Sequence, residues 1–403
     1  MNPNDIKFEV IKKLAEVKFK YREFRRVSEI DTISPPSVFI GSKLKYPLMN
    51  VGILSPIERD ENAWVYDAEK YWAENNFGIS EVLNLRQSLL NSRFQSQAKD
   101  ARLNKKFLEL AKEIAIASKP VDVEIKLKDN FNTQKIQDKV LTGHGMHASL
   151  KDAKIVSNVK VSQRLDKMMN DEIKACEAMK ILYNHNLSEY NLSKILSVGV
   201  LGLKKNKRLV PTRWSITATD DVLGKQILEG VKSYSLLDSY ELFFGEFLGN
   251  QYVILLFPFI WSFELFEFYL PGSSWNPSLG IKASTDFEDF YGRKNYASST
   301  TGGYYATRLS VLEYLKKIKK QAGVLVLRIE TPTYWAGLGV WVVRESVRKA
   351  ISRGRILFDS REELLNSATQ ISKVKYKFDN SGILKQSKLL NQIKTQKNLR
   401  EWF

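Results

Sequence analysis

An α+β fold, with helices packed on mixed or antiparallel sheet and a flexible C-terminal tail, is what this chain of 403 residues predicts. Three observations carry that expectation. Helical stretches are interleaved with strand runs that read as hairpins rather than as regular βαβ crossovers. The hairpin signals gather between Glu241 and Tyr269, and a lysine-rich stretch runs from Ser372 to the end. With 43% hydrophobic residues the chain buries a sizeable core, and its length points to two or three domains.

Asp5–Arg26 places Ile6, Phe8, Val10, Ile11, Leu14, Val17 and Phe19 among lysines, the pattern of a basic amphipathic helix. Ser34-Pro35-Pro36-Ser37-Val38-Phe39-Ile40-Gly41 follows, where two prolines forbid helix and a rigid turn feeds a strand. A second turn-rich piece, Tyr46–Gly52, leads into a loop around Ser55-Pro56. Ala68–Arg93 reads as helical, as does Phe107–Ser118 before Pro120 stops it. Val121–Leu127 alternates apolar and charged residues like a half-exposed strand. Val161–Leu187 is again helical and puts Cys176 on an apolar face as a small core residue.

Strands are expected at Glu241–Leu248, Tyr252–Phe259 and Ser262–Tyr269, joined as a meander through Gly249-Asn250 and the Pro258 region. Tyr304–Lys320 reads as a helix, Val324–Ile329 as a buried strand, and Glu345–Arg353 as a helix stopped by Gly354. Gly382 is a natural hinge in the tail. The resulting division is a basic helical segment over 1–30, a larger region over 31–285, a smaller one over 286–371, and the tail over 372–403.

The formal charge of +17 draws polyanions, with nucleic acid the first candidate. An anionic membrane would call for a lipidation signal or a signal peptide, and the sequence shows neither, so no membrane partner is expected. The most apolar run, Tyr252–Trp261, is too short to span a bilayer and contains Pro258. A single cysteine excludes an internal disulfide and any cysteine-cluster metal site, which fits a reducing, cytoplasmic setting. No metal is expected, and no cofactor is named by any motif.

Two clusters could carry chemistry. In Arg208–Asp221, Arg213 beside Trp214 could clamp phosphate and stack on a base. Asp220 and Asp221 could meet a hard cation, although they suit the acidic first turn of a helix equally well. In the second cluster Arg293, Lys294 and Arg308 surround Gly302, Gly303 and Tyr304, where a double glycine opening a helix would offer N–H groups to an anion. That segment lacks the lysine and hydroxyl of a P-loop, and an ordinary helix start is the plainer reading. Nucleophile-elbow, zincin and kinase signatures are absent from the sequence.

The last eight residues read as a docking peptide. One tight turn would gather Leu399, Trp402 and Phe403 into an apolar plug, with Gln396 at its edge offering amide groups to a partner backbone. This segment resembles the PCNA-interacting peptide of replication and repair proteins, with tryptophan where phenylalanine or tyrosine is more usual.

Further motifs run in order along the chain: Ser34–Gly41 with Tyr46-Pro47 and Asn50-Val51-Gly52, then Pro211–Ala218, then Gly292-Arg293-Lys294 and Gly302–Tyr305, then Tyr334-Trp335 with Leu338–Trp341. Together they resemble the archaeal Nre DNA repair family from about Ser34 to the terminus. The resemblance implies a DNA-damage response protein that works with the PCNA sliding clamp in an archaeal cytoplasm, at the nucleoid, and it supplies no reaction. Many relatives open with a cysteine-containing, zinc-finger-like segment. This chain is lysine-rich there instead, so no zinc role carries over. The function expected is therefore clamp-recruited DNA repair with DNA held on a basic surface. The alternative is a nucleotide- or nucleic-acid-processing enzyme whose site joins Arg213, Asp220 or Asp221, Arg293 and Arg308.

Overall fold

A computed structural model describes residues 28–41, 46–128 and 145–395, together with Lys13. The rest of the helix expected over Asp5–Arg26, and the docking peptide Gln396–Phe403, lie outside the described residues. The chain divides into two compact units, one ending at Leu223 and the other resuming at Gly224.

The first unit holds a six-stranded sheet of β1 (Glu29–Ser34), β2 (Val38–Gly41), β3 (Leu48–Pro56), β4 (Leu89–Gln97), β5 (Val121–Leu127) and β6 (His147–Ile155), in the order β1-β5-β6-β4-β3-β2. β4 and β6 run parallel, and the other neighbours are antiparallel. Pro35 and Pro36 turn the chain between β1 and β2, where Ser34 Oγ donates to Leu54 O at 2.9 Å. The loop expected at Ser55-Pro56 is instead the end of β3, a position that spares proline any ladder donor in mid-strand.

The single helix expected over Ala68–Arg93 is two helices and a strand. α1 (Glu69–Glu74) stops where Asn76 turns left-handed at φ 56°, and α2 (Ile79–Gln87) restarts with Glu81 Oε2 accepting Gly78 N–H at 2.6 Å. Leu89–Arg93 then begins β4. Downstream, α3 (Lys106–Ile116) matches its expectation, whereas Val161–Leu187 resolves into α4 (Gln163–Asn170) and α5 (Ala175–Asn184), leaving Cys176 half-buried rather than in the core. α6 (Glu189–Ser197), capped by Ser188, and α7 (Thr212–Val231) follow.

The second unit is built on a mixed sheet of β8 (Tyr240–Phe247), β9 (Asn250–Phe257), β10 (Ser262–Tyr269), β11 (Lys282–Glu288), β13 (Gly323–Glu330) and β14 (Ile356–Phe358), ordered β11-β10-β13-β9-β8-β14. A small pair, β7 (Ser235–Leu236) with β12 (Lys320–Gln321), stands apart. The expected meander is corrected here. β8 and β9 form a hairpin, but β13 inserts between β9 and β10 and runs parallel to β10. A strand buried along its whole length, as β13 is, wins a central place because it buries apolar surface on both faces.

Alternation along β9 sends its residues to opposite layers. Val253, Leu255 and Phe257 join the core under α10 (Arg361–Tyr376), while the other face meets α9 (Trp341–Ser352), which itself packs on α8 (Thr301–Ile318). α9 approaches so closely that a Cβ on Gly245 of β8 would stand 2.7 Å from Ala350 Cα. Residues 372–395 of the expected tail are ordered elements: α10 runs to Tyr376, then come α11 (Ser381–Leu384) and α12 (Lys388–Thr395). Gly382, expected as a hinge, lies within α11. Leu389, with Leu390 and Ile393 beside it, joins the core of the sheet, an apolar spacing of three and four hidden among lysines.

Candidate nucleic-acid interface

In the first unit, two loops meet to make a basic surface. Leu209 N–H bonds Ala98 O at 2.8 Å, and Arg102 Nε donates to Lys207 O at 3.0 Å, so the turn after β4 lies against the segment leading into α7. Lys204 and Lys205 form a short 3-10 turn at this seam, and both are exposed, as are Lys99, Arg102, Arg208 and Arg213. Lys112 reaches in from α3, its Nζ donating to Ala101 O at 2.8 Å.

Lys207 stands in the middle, its Nζ on Met169 O at 2.7 Å. Partial burial, then the charge of Lys112 and, less, that of Lys204, push the Lys207 ammonium below its ordinary pKa against the opposing charge of Glu172. A polyanion laid across this seam would relieve that like-charge crowding, since each phosphate neutralises charge that the protein otherwise holds against itself.

Arg213 and Trp214 open α7 beside these cations, and Trp214 is 51% exposed. The helix start is fixed in place by Thr212, whose Oγ1 accepts the N–H of Ile40 on β2 at 2.8 Å. The two sequence motifs Ser34–Gly41 and Pro211–Ala218 therefore meet. Asp220 and Asp221 lie in the middle of α7 rather than in its first turn, Asp220 buried and Asp221 half-buried.

The second expected cluster belongs to the second unit. The structure brings Arg293, Tyr304 and Arg308 together around β11, with the guanidinium of Arg293 over the Tyr304 ring at 5.4 Å. Two carboxylates of the chain itself serve them. Arg293 Nη2 lies 3.0 Å from Asp286 Oδ1, and Arg308 Nε lies 2.7 Å from Glu288 Oε1, which also accepts Trp261 Nε1–H at 2.9 Å.

Asp286 Oδ2 further accepts the N–H groups of Ser299 and Thr300 at 3.0 and 2.8 Å and the Thr300 hydroxyl at 3.0 Å. An internal carboxylate thus takes the place at the start of α8 that the sequence reserves for an external anion. Gly302 is half-buried, and a Cβ on Gly303 would collide with Glu267 Oε1, so glycine is required there by packing. Lys294 is exposed.

Two features escape a reading of the sequence. One is the cation run at 204–208, whose signal, Lys-Lys-Asn-Lys-Arg two residues before Pro211-Thr212, is visible once Arg102 and Lys112 are known to face it. The other is a cavity of about 340 Å³ in the first unit, lined by Asp67, Glu69, Tyr71, Tyr190 and Lys194 among others. Burial pushes the Asp67 carboxyl up, but Lys194 at 2.5 Å and Arg86 at 3.2 Å outweigh it and hold the group well below the usual carboxylate range.

Comparison with known proteins gives the lineage. The family model described as "Archaeal Nre, N-terminal" matches residues 6–276, and "Archaeal Nre, C-terminal" matches 288–402. The chain belongs to the archaeal Nre family. Among curated relatives of that family, "DNA repair protein NreA" of Archaeoglobus fulgidus is 38% identical over 357 residues, covering 87% of this chain and 88% of the relative. "DNA repair protein NreA" of Haloferax volcanii is 39% identical over 321 residues, covering 78% and 76%. "DNA repair protein NreB" of Archaeoglobus fulgidus is 36% identical over 334 residues, covering 82% of each. No solved structure matches the chain significantly. Among the described residues, no helix of this Nre protein is long and apolar enough to cross a membrane.

Proposed function

We propose that this Nre protein serves DNA repair by binding DNA on the basic seam around Lys207 and by docking on the PCNA sliding clamp through Gln396, Leu399, Trp402 and Phe403. The observation that carries the DNA part is the gathering of exposed Lys99, Arg102, Lys204, Lys205, Arg208 and Arg213 on two joined loops beside exposed Trp214. Cations supply sequence-independent affinity for the backbone, and a tryptophan face adds stacking where bases are unpaired. The names of its relatives, DNA repair proteins from two archaea, agree with a role in DNA repair.

The clamp part is supported by the terminal sequence pattern. The last described helix ends at Thr395, one residue before Gln396. Tethering to a clamp already on DNA raises local concentration, so modest DNA affinity suffices.

The experiment separates the two halves. Calorimetry of the full chain and of a chain ending at Thr395 against purified clamp should show binding only for the full chain, with DNA affinity equal in both. Retained clamp binding by the shortened chain overturns the docking role. DNA binding that is unaffected by charge reversal at Lys204 and Lys205 overturns the seam.

A further inference from the structure

The loop Leu270–Ile281, between β10 and β11, is built inside out. Asn276 is buried and donates from Nδ2 to Tyr269 O and to Gly280 O, at 2.7 Å each, while its Oδ1 accepts Ser278 N–H at 3.1 Å and the Ser278 hydroxyl at 2.5 Å. Ser274 Oγ and Trp275 N–H both donate to buried Glu330 at 3.2 Å, and Arg328 Nη2 holds that carboxylate at 3.0 Å. Polar side chains thus form the interior of the loop. Trp275, Leu279 and Ile281 face water, 61, 60 and 56% exposed, and Pro277 between them is exposed as well.

This arrangement runs against the hydrophobic effect for a surface with nothing on it. The loop is also uncharged. Residues 270–281 contain no Asp, Glu, Lys or Arg, and neither do residues 331–340, whose Tyr334 O accepts Ser274 N–H at 2.9 Å and whose Gly337 lies under the Trp275 ring. In a chain that is 27% charged, two adjoining neutral loops make a distinct face.

We propose that this face is where two copies of the chain meet about a twofold axis, an association independent of the DNA and clamp reading above. A polyanion or an anionic lipid surface would find no cation on it. A second copy needs none. An uncharged apolar patch is complementary to itself, which is what a twofold contact requires, whereas two chains of +17 repel wherever their charged surfaces meet. Loss of charge around a central tryptophan is also the composition of interface cores. Because hydrogen bonds already hold the loop, little ordering entropy is lost on contact.

The test is sedimentation equilibrium of the full chain from about 1 to about 200 µM, a span chosen to bracket weak dimers. The mass is expected to rise from 46.4 kDa toward twice that value. Raising salt from about 0.1 to about 0.5 M should tighten the dimer, because salt screens the like-charge repulsion and leaves apolar contact intact. Trp275→Ser with Leu279→Ser should weaken it by about 30-fold or more. Both side chains are exposed in the single chain, so an unchanged melting curve checks that the fold survives. A second variant, Ile281→Lys, brings two cations across the axis and should have the same effect. A wild-type mass that stays at 46.4 kDa throughout leaves the face to a foreign partner and overturns the proposal. A dimer that loosens with salt, or ignores these substitutions, overturns it equally.

Discussion

Ser387 donates its hydroxyl to Glu264 Oε2 at 2.5 Å, and the same carboxylate takes the N–H groups of Lys388 and Leu389 at 3.1 Å each. A glutamate on β10 therefore caps α12 from the neighbouring layer, adding to the local cap in which Ser387 Oγ accepts the Leu390 N–H at 3.1 Å. That bond set joins the packing of Leu389 in holding the last described helix on the sheet.

Glu264→Ala is expected to free α12. Three donors lose their acceptor at once, a cost of about 1–3 kcal/mol if they are rehydrated. Hydrogen exchange followed by mass spectrometry should show lost protection across 388–395 and little change in β8 or β9. Unchanged protection of α12 would show that Leu389 packing alone holds the helix.

The same glutamate carries a pH signature. Burial raises its pKa above the ordinary value, against the lowering effect of Ser387 and the two backbone donors. Its proton is held more tightly folded than unfolded, so its contribution favours folding below the ordinary glutamate range and declines as pH rises through the raised value. Glu264→Gln removes the titration. The melting temperature of wild type relative to this variant is expected to fall between pH 4 and pH 7, and a constant difference across that window would exclude the linkage.

Arg308 and Glu288 form a buried pair at 2.7 Å. Arg308→Met should cost about 3–5 kcal/mol, because it leaves Glu288 charged and buried without its cation. Adding Glu288→Leu should recover much of the loss, since the penalty lies in the orphaned charge. Urea unfolding of the single and double variants checks it, and equal stabilities would show that the pair is solvated enough not to matter.

Charge reversal at Lys204, Lys205 and Arg208 should weaken DNA binding and flatten its salt dependence, each lost phosphate contact taking about 0.9 from the slope on duplex DNA. Trp214→Ala should act differently. It is expected to cost about 1–3 kcal/mol on single strands and much less on duplex, because only unstacked bases present a free face. Fluorescence anisotropy at several salt concentrations, with both substrates, reads each effect.

Acid should also loosen the first unit at Asp67. Its pKa lies below the ordinary value in the fold, so the stabilisation from Lys194 and Arg86 is present above the unfolded pKa and is lost as pH falls toward the folded one. Asp67→Asn should remove that part of the acid sensitivity, as measured by melting between pH 6 and pH 3.

Periodicity and propensity made several elements legible in advance. Val324–Ile329 reads as buried because four apolar residues in a row, with Ile329 after Arg328, leave no regular solvent face, and it is buried at every position. The β8–β9 hairpin is written in Gly249-Asn250 between two aromatic-rich runs, and α3 ends short of Pro120 as its sequence requires. The terminal motif and the order of family motifs are properties of the string itself, so they need no coordinates to be seen.

Pairing and neutralisation are decided by residues far apart in the chain, and there the string is silent. Nothing near Phe259 says that β13 will slip between β9 and β10; the complete burial of β13 in the folded sheet does. Nothing around Gly302 says that Asp286 will occupy the start of α8, or that Glu288 will meet Arg308, because a carboxylate on β11 reaches them only after the sheet has formed. The seam at Lys207 is the opposite case: its cations are plain in the sequence, but their crowding exists only because the Ala98 and Leu209 backbones are joined. Local physics wrote the elements, and long-range packing chose which charges end up with partners inside the protein and which are left to attract something outside it.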